Sequence, residues 1–164
     1  MINKFNVSLL TMFGIGESIY APGTIASLAT CLIYIFCFTF QINIALLIFI
    51  NFIICTYSIT IIDKYSRRFE SVDAREIVID EFIGQSIPLL SIYAIFSEVF
   101  FGQFIIFTLI SFLSFRFFDI LKPFPINIVD KKMKNGFGVM LDDIIAGIFS
   151  SILILITLFF LSDV

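Results

Sequence analysis

The chain has no histidine among its 164 residues, and it has few charged residues of either sign. The absence of histidine excludes His-based acid–base catalysis, histidine metal sites and the Ser-His-Asp arrangement. Charged residues make up 14% of the chain, against about 25% in an ordinary soluble domain, and hydrophobic residues make up 60%. This leaves too little polar surface to coat a water-soluble globule. The composition therefore predicts a small integral membrane protein with a single domain over 1–164.

Cysteine is scarce as well, and the chain has no excess of positive charge. Cys31, Cys37 and Cys55 lie inside apolar stretches, and none belongs to a C-x-x-C pair or a C-x5-R phosphatase loop. We expect them to pack as small buried hydrophobes, which argues against a thiol nucleophile and against a disulfide framework. The net charge is −3, so no nucleic-acid partner is expected.

Long stretches without charge predict the membrane spans. No charged residue lies between Glu17 and Asp63, and the stretches 82–115 and 144–162 hold one charged residue between them. A spanning helix needs about 20 mainly apolar residues, so these stretches hold about five spans. We predict an all-α, multi-pass helical bundle, preceded by a short interfacial helix over 5–13. The predicted spans are 25–40, 44–62, 82–97, 101–118 and 144–161.

The basic residues all fall on one side of this predicted topology. The N-terminal segment and the loops at 63–81 and 116–143 carry all ten Lys and Arg residues. The connections near 41–43 and 97–102 and the C-terminus carry none. The positive-inside rule then places the Lys/Arg side in the cytoplasm.

Two pairs of adjacent carboxylates stand where these cytoplasmic segments meet the predicted spans. Asp80 and Glu81 begin the third span, and Asp142 and Asp143 begin the fifth. Acidic residues in a first helical turn also complement the helix dipole, which would explain either pair alone. Together, however, like charges this close repel one another unless a cation compensates them. Because oxygen ligands without His or Cys suit a hard cation, we predict that the four carboxylates hold Mg²⁺.

A third cluster, at the end of the fourth span, combines both signs of charge. Arg116 and Asp119 share one helical face, and Lys122 extends that face before Pro123. Anchoring at the membrane interface would also explain these residues. Beside a metal ion, Arg116 and Lys122 would instead bind phosphate oxygens. Asp119 would orient Arg116, ligate the metal or act as a catalytic base.

A segment containing glycine directly precedes the first span. Glycines allow close approach of the backbone, and exposed N–H groups before a helix can bind an anion. A turn followed by a helix cap is the plainer interpretation of the same residues. The candidate substrate-binding residues are Gly14, Gly16, Pro22, Gly23, Thr24 and Ser27, together with Arg116 and Lys122.

Taken in order along the chain, these motifs resemble the phosphatidylglycerophosphatase A family. The motifs that carry the resemblance are Gly14-x-Gly16, Pro22-Gly23-Thr24, Asp80-Glu81-Phe82-Ile83-Gly84, Phe115-Arg116-x-x-Asp119, Lys122-Pro123-x-Pro125-Ile126, Gly136-x-Gly138-Val139-Met140 and Asp142-Asp143-x-x-Ala146-Gly147. The sequence departs from the family pattern at Ala26, where the family often has Gly.

The resemblance implies a bacterial, multi-pass inner-membrane phosphatase that depends on Mg²⁺ and works at the cytoplasmic face. Its implied reaction converts phosphatidylglycerophosphate to phosphatidylglycerol and phosphate in phospholipid biosynthesis. Hydrolysis of such a monoester is extremely slow without catalysis, so it requires strong charge stabilisation, which the clusters offer. Two other functions stay open from the residues alone. A Mg²⁺-dependent phosphatidyl-group transferase would also use acidic clusters, and a divalent-cation transporter would need carboxylates near mid-membrane.

Overall fold

The computed structural model describes residues 4–65, 74–96 and 101–162, and within these ranges it contains helices and turns but no strand. This confirms the predicted all-α class. The predicted connection near 97–102 and the arginines at 67–68 fall partly or wholly outside these ranges. The helices are α1 (Lys4–Leu10), α2 (Pro22–Thr39), α3 (Ile44–Tyr65), α4 (Ile79–Ile95), α5 (Phe101–Leu121), α6 (Ile126–Lys132) and α7 (Gly136–Ser162), with a 3-10 turn over Ile15–Glu17.

Four of the described helices, α2, α3, α5 and α7, are long and apolar enough to cross a membrane. Large apolar side chains such as Phe36, Phe52 and Leu109 are exposed on them, as expected for helices that face lipid. The predicted third span corresponds to α4, which has 17 residues and carries two acids in its first turn. The count of five spans and the interfacial position of α1 therefore stay predictions.

Helix α4 occupies the middle of the bundle. It packs against α2, α3, α5 and α7. Its side chains Ile83, Leu89 and Ile92 are buried, and so is Pro88. Because α4 is surrounded by protein, it tolerates polar residues on faces that would be costly against lipid.

Glycines bring the backbones of α4 and α7 together. A Cβ atom on Gly147 would collide with the carbonyl oxygen of Gly84. A Cβ atom on Gly84 would lie 2.7 Å from the carbonyl oxygen of Asp143 and 2.7 Å from the ring of Phe115. Small residues allow such close approach between membrane helices. This contact sets the acidic start of α4 directly beside Asp143.

The described residues directly before α4 (74–78) and the loop before α7 lie at one end of the bundle, with the N-terminal segment. The backbone N–H of Gly136 donates to the Asp63 carboxylate and joins the start of α7 to the end of α3. The backbone N–H of Val78 donates to the carbonyl oxygen of Leu10, at 2.9 Å. The predicted clustering of these segments on one side is therefore consistent with the fold.

Helix α7 begins earlier than the sequence predicted, at Gly136 rather than near 144. The Asn135 side chain caps this start by accepting the backbone N–H of Gly138 at 2.8 Å. Asp142 and Asp143 consequently lie in the second turn, and the first turn of α7 contains no acid. The helix dipole therefore does not explain this pair of carboxylates, because its influence is confined to the first turn.

Candidate active site

Three carboxylates from two helices meet at the loop end of the bundle. One oxygen atom each from Asp80, Glu81 and Asp143 lies within 4.8 Å of the others. Asp80 is 9% exposed and Asp143 is 4% exposed, so water screens their charges poorly. Negative charges buried at this spacing repel one another, and the arrangement calls for a compensating cation.

The same three carboxylates carry oxygen atoms that no protein group satisfies. Asp80 Oδ1, Glu81 Oε2 and Asp143 Oδ2 are buried and accept no hydrogen bond from the described residues. Buried polar atoms nearly always have a hydrogen-bond partner, so exceptions indicate the position of an ion or a water molecule. A set of carboxylate oxygens without nitrogen or sulfur ligands suits a hard divalent cation. The residues present therefore fit a metal site.

The fourth predicted ligand, Asp142, is engaged by a lysine. Its Oδ2 atom accepts a hydrogen bond from Lys122 Nζ at 2.7 Å, and its Oδ1 atom accepts the backbone N–H of Asp143 at 3.1 Å. Lys122 also donates to Asp130 Oδ1 at 2.9 Å. The structure thus pairs Asp142 with Lys122, at the edge of the three-carboxylate cluster.

Lys122 follows directly on α5 and joins it to α6 and α7. Burial by itself lowers the pKa of the Lys122 ammonium, but the hydrogen bonds to Asp142 and Asp130 outweigh burial and raise that pKa above its usual value. The hydrogen bond from Lys122 in turn lowers the pKa of Asp130. Lys122 is therefore a permanent cation at neutral pH. Sequence reasoning missed Asp130, because its pairing with Lys122 crosses a proline-containing turn that no helical spacing signals.

Arg116 and Asp119 form the predicted pair on α5. Arg116 Nη1 lies 2.6 Å from Asp119 Oδ2, and both side chains are largely buried. This contact is an ion pair, but its geometry is not that of a hydrogen bond. Arg116 Nη1 and Nε are therefore both buried without a hydrogen-bond acceptor among the described residues. The guanidinium is held in place and still has donors for an oxyanion.

The start of α2 lies against Glu81 and Arg116. A Cβ atom on Gly23 would collide with the Glu81 carboxylate and would lie 3.3 Å from Arg116 Nη1. Pro22 and Ser27 are buried beside Gly23, and the Ser27 hydroxyl donates to the Gly23 carbonyl oxygen at 2.9 Å. Glycine at position 23 is therefore what lets α2 approach the two charged groups.

Gly14 and Gly16 stand in the turn before α2, and Thr24 is half-buried in its first turn. Gly14 has a φ of 98°, in the left-handed region that favours glycine, and nothing surrounds its Cβ position within 4 Å. Gly16 packs against the backbone carbonyl of Glu76, with no room for a side chain. These surroundings are those of a turn, and anion binding by Gly14, Gly16 and Thr24 stays a prediction.

A protein-family model described as Phosphatidylglycerophosphatase A matches residues 8–158. The chain belongs to the phosphatidylglycerophosphatase A family. The resemblance drawn from the sequence motifs is confirmed, and the chain is a phosphatase of lipid metabolism. Its apolar helices fit a membrane protein.

Individual relatives within and beside this family cover most of the chain. Phosphatidylglycerophosphatase A of Haemophilus influenzae is 35% identical over 148 residues, which are 87% of this chain and 82% of the relative. Phosphatidylglycerophosphatase A of Escherichia coli is 31% identical over 140 residues, 85% of this chain and 75% of the relative. A putative phosphatidylinositol-3-phosphatase of Bacteroides thetaiotaomicron is 32% identical over 152 residues, 88% and 87% of the two chains. No solved structure matches the chain significantly.

Proposed function

We propose that the chain hydrolyses phosphatidylglycerophosphate to phosphatidylglycerol and phosphate in phospholipid biosynthesis, with Mg²⁺ as its cofactor. One observation carries this proposal. Asp80, Glu81 and Asp143 bring one oxygen each within 4.8 Å of the others and each have an unsatisfied oxygen, and the unsatisfied Nη1 of Arg116 lies beside Gly23 and Glu81. A phosphomonoester together with a divalent cation would satisfy both sets of charges at once.

Asp80, Glu81 and Asp143 are the residues that would hold the cation. A bound Mg²⁺ supplies polarisation of the phosphoryl group and a lowered pKa for an attacking water molecule. Asp142 supports this set from its edge, because it accepts the backbone N–H of Asp143 while it pairs with Lys122. Asp142 and Asp143, adjacent on α7, thus have different roles in this proposal: Asp143 would bind the cation, and Asp142 pairs with Lys122.

Arg116 binds the phosphate oxygens in this proposal. Its planar guanidinium donates two parallel hydrogen bonds, a geometry that matches phosphate. Asp119 holds that guanidinium by the 2.6 Å ion pair, and Gly23 keeps the space beside it free of a side chain. Lys122 uses two of its three N–H groups on Asp142 and Asp130, which leaves one for a phosphate oxygen.

The lipid substrate places this site at a membrane surface, and we infer that the surface is the cytoplasmic face of the bacterial inner membrane. A phosphate on a lipid glycerol lies at the level of the headgroups. The described basic residues support this orientation, since they belong to the loops and helix ends at the end of the bundle that carries the acids. The basic residues described are Lys4, Lys64, Arg75, Arg116, Lys122, Lys131, Lys132 and Lys134.

The printed name of the Bacteroides thetaiotaomicron relative favours a second candidate substrate, a 3-phosphorylated phosphoinositide. Both candidates are phosphomonoesters on a lipid headgroup, so the same charge arrangement would serve either. A direct comparison of the two lipids is therefore needed.

The experiment measures phosphate release by the purified full-length protein in mixed micelles. The substrates are phosphatidylglycerophosphate, phosphatidylinositol 3-phosphate and soluble glycerol 3-phosphate, each with Mg²⁺ and after EDTA treatment. We expect Mg²⁺-dependent release to be fastest from phosphatidylglycerophosphate, the lipid to which the names of two relatives point, and slow from soluble glycerol 3-phosphate, which has no acyl chains. Faster turnover of the phosphoinositide would replace the proposed substrate, and activity in excess EDTA would remove the proposed cofactor.

A further inference from the structure

A buried group of polar side chains lies inside the bundle, beneath the three carboxylates. Gln85 Nε2 donates to Ser111 Oγ at 2.8 Å. The hydroxyls of Ser114 and Ser150 donate to the carbonyl oxygen of Ser111 at 3.1 and 3.4 Å, and they contact each other. Ser111 is thus a common acceptor for side chains from α4, α5 and α7. We term these four residues, all of them buried, the Ser111 network.

The network lies in register with the carboxylates above it. Gln85 follows Glu81 by four residues on α4, and Ser150 follows Asp143 by seven residues on α7. These spacings are one and two helical turns, so Gln85 shares a helix face with Glu81, and Ser150 shares one with Asp143. At 1.5 Å per residue, the network lies about 6 to 10 Å below the carboxylates.

The carboxylates repel one another across the α4–α7 interface while they are ionised. Asp80 and Glu81 on α4 face Asp143 on α7 within 4.8 Å, and their charges repel in a poorly screened environment. At the contact between Gly84 and Gly147 the two backbones meet, and neither residue contributes a side chain that could hold the helices together there. Hydrogen bonds buried between membrane helices resist separation, because no water replaces a broken bond there. The Ser111 network supplies such bonds directly below the repulsive cluster.

Gln85 also carries a feature that packing alone does not explain. Its side chain is fully buried, yet its Oε1 atom has no hydrogen-bond partner among the described residues. An unsatisfied buried amide oxygen destabilises a fold, whereas an apolar side chain of similar size would fill the same space without that cost. Polar groups at this depth in a membrane bundle usually have a functional reason.

We propose that the Ser111 network is a positioning device that keeps the carboxylates of Asp80, Glu81 and Asp143 at cation-binding distance before the cation arrives. Gln85 and Ser111 are positioning residues, because they act through the spacing of α4, α5 and α7. The inference rests on the proposed function, since it concerns the cation assigned there to the three carboxylates.

The test compares Gln85→Leu and Ser111→Ala with Ser91→Ala in the full-length protein in detergent. Ser91 is a matched control, because its hydroxyl donates to Ser151 at 3.3 Å and also joins α4 to α7, deeper in the bundle. Binding of Mn²⁺ is measured by electron paramagnetic resonance of the free ion, and the half-activating Mg²⁺ concentration is measured by phosphate release. We expect both network variants to bind Mn²⁺ about tenfold more weakly or worse, with a parallel rise in half-activating Mg²⁺. Ser91→Ala should leave both quantities unchanged.

The outcomes separate this inference from the proposed function. Wild-type affinity for Mn²⁺ in both network variants would overturn the positioning role but leave the metal site in place. Equal weakening of Mn²⁺ binding in Ser91→Ala would also overturn the positioning role, because it would show that any loosening of the bundle weakens the site. A wild-type protein that binds no Mn²⁺ and stays active in EDTA would defeat the proposed cofactor, and the inference with it. Should Gln85→Leu fail to accumulate, Ser111→Ala and Ser150→Ala decide the matter, because each removes a single hydroxyl.

Discussion

Gly23 on α2 lies against the carboxylate of Glu81 on α4, so closely that no side chain fits between them. The same glycine position is 3.3 Å from Arg116 Nη1, measured from where its Cβ would be. Helices α2, α4 and α5 therefore meet at one point. At this point α4 contributes the Glu81 carboxylate, α5 contributes the Arg116 guanidinium, and α2 contributes only its backbone. The missing side chain is what lets the two charges approach the N-terminus of α2.

Replacing this glycine tests whether the contact matters for activity. Gly23→Ala forces the Glu81 carboxylate away from its position, and we expect kcat/KM to fall by about a hundredfold or more, as misplacement of catalytic groups by an ångström does. Gly102→Ala is the matched control, because Gly102 is also helical but has no atom of the described residues within 4 Å of its Cβ position. Comparable activity in the two variants would show that the Gly23–Glu81 contact is incidental.

The Arg116 prediction separates a phosphate ligand from an interface anchor. Arg116→Lys keeps the charge but loses the planar pair of donors, which should cost about 1.5–3 kcal/mol of transition-state binding. This corresponds to a loss of about 10- to 150-fold in kcat/KM. Arg75→Lys serves as the control, because Arg75 is exposed and donates to the backbone carbonyl oxygens of Ser18 and Ile19, which an ammonium also reaches. If Arg116→Lys keeps wild-type kcat/KM, Arg116 is an anchor.

Composition and charge placement were enough to predict much of this molecule. Stretches without charge predicted the helices, because only apolar helices persist in lipid. The convergence of Asp80, Glu81 and Asp143 was also predictable, although more than sixty residues separate the two pairs, since like charges in an apolar chain need a shared cation to compensate them. The family followed from the same residues.

Details that depend on helix rotation and on turns were not predictable. Asp142 and Asp143 are adjacent in sequence, but successive residues point about 100° apart around a helix, so only one of them joins Asp80 and Glu81. The sequence does not show which one, because that depends on how α7 packs against α4. Helix α6 and its Asp130 were assigned to a loop, since a seven-residue helix directly after Pro125 lacks a clear period. Asn135 is a helix N-cap residue and did indicate the early start of α7, but a search for uncharged stretches does not consider such caps.

The cation prediction has a signature in stability as well as in activity. Asp143→Asn removes one of three repelling buried charges, so the metal-free variant should melt at a higher temperature than the metal-free wild type. Mg²⁺ should raise the melting temperature of the wild type, by linkage to binding, and should not raise that of the variant. Glu17→Gln, an exposed acid at the same end of the bundle, is the control and should behave as wild type. Equal Mg²⁺-induced stabilisation of wild type and Asp143→Asn would contradict the assigned site.

The last prediction concerns the unequal partners of Lys122. The Asp142 side chain is 8% exposed and that of Asp130 is 26% exposed, so loss of the lysine removes a cation at 2.7 Å from the more deeply buried carboxylate. Lys122→Met should therefore destabilise the protein by about 3 kcal/mol. This value is at the lower end of the range for breaking a buried ion pair, because Lys122 itself is partly exposed. Asp130→Asn removes a better-solvated partner and should cost about 1 kcal/mol or less. Adding Asp142→Asn to Lys122→Met should restore most of the lost stability, because the buried negative charge that Lys122 compensates is then gone as well. Unfolding equilibria of the three variants in mixed micelles measure these differences, and equal destabilisation by Lys122→Met and Asp130→Asn would show that Asp142 does not depend on Lys122.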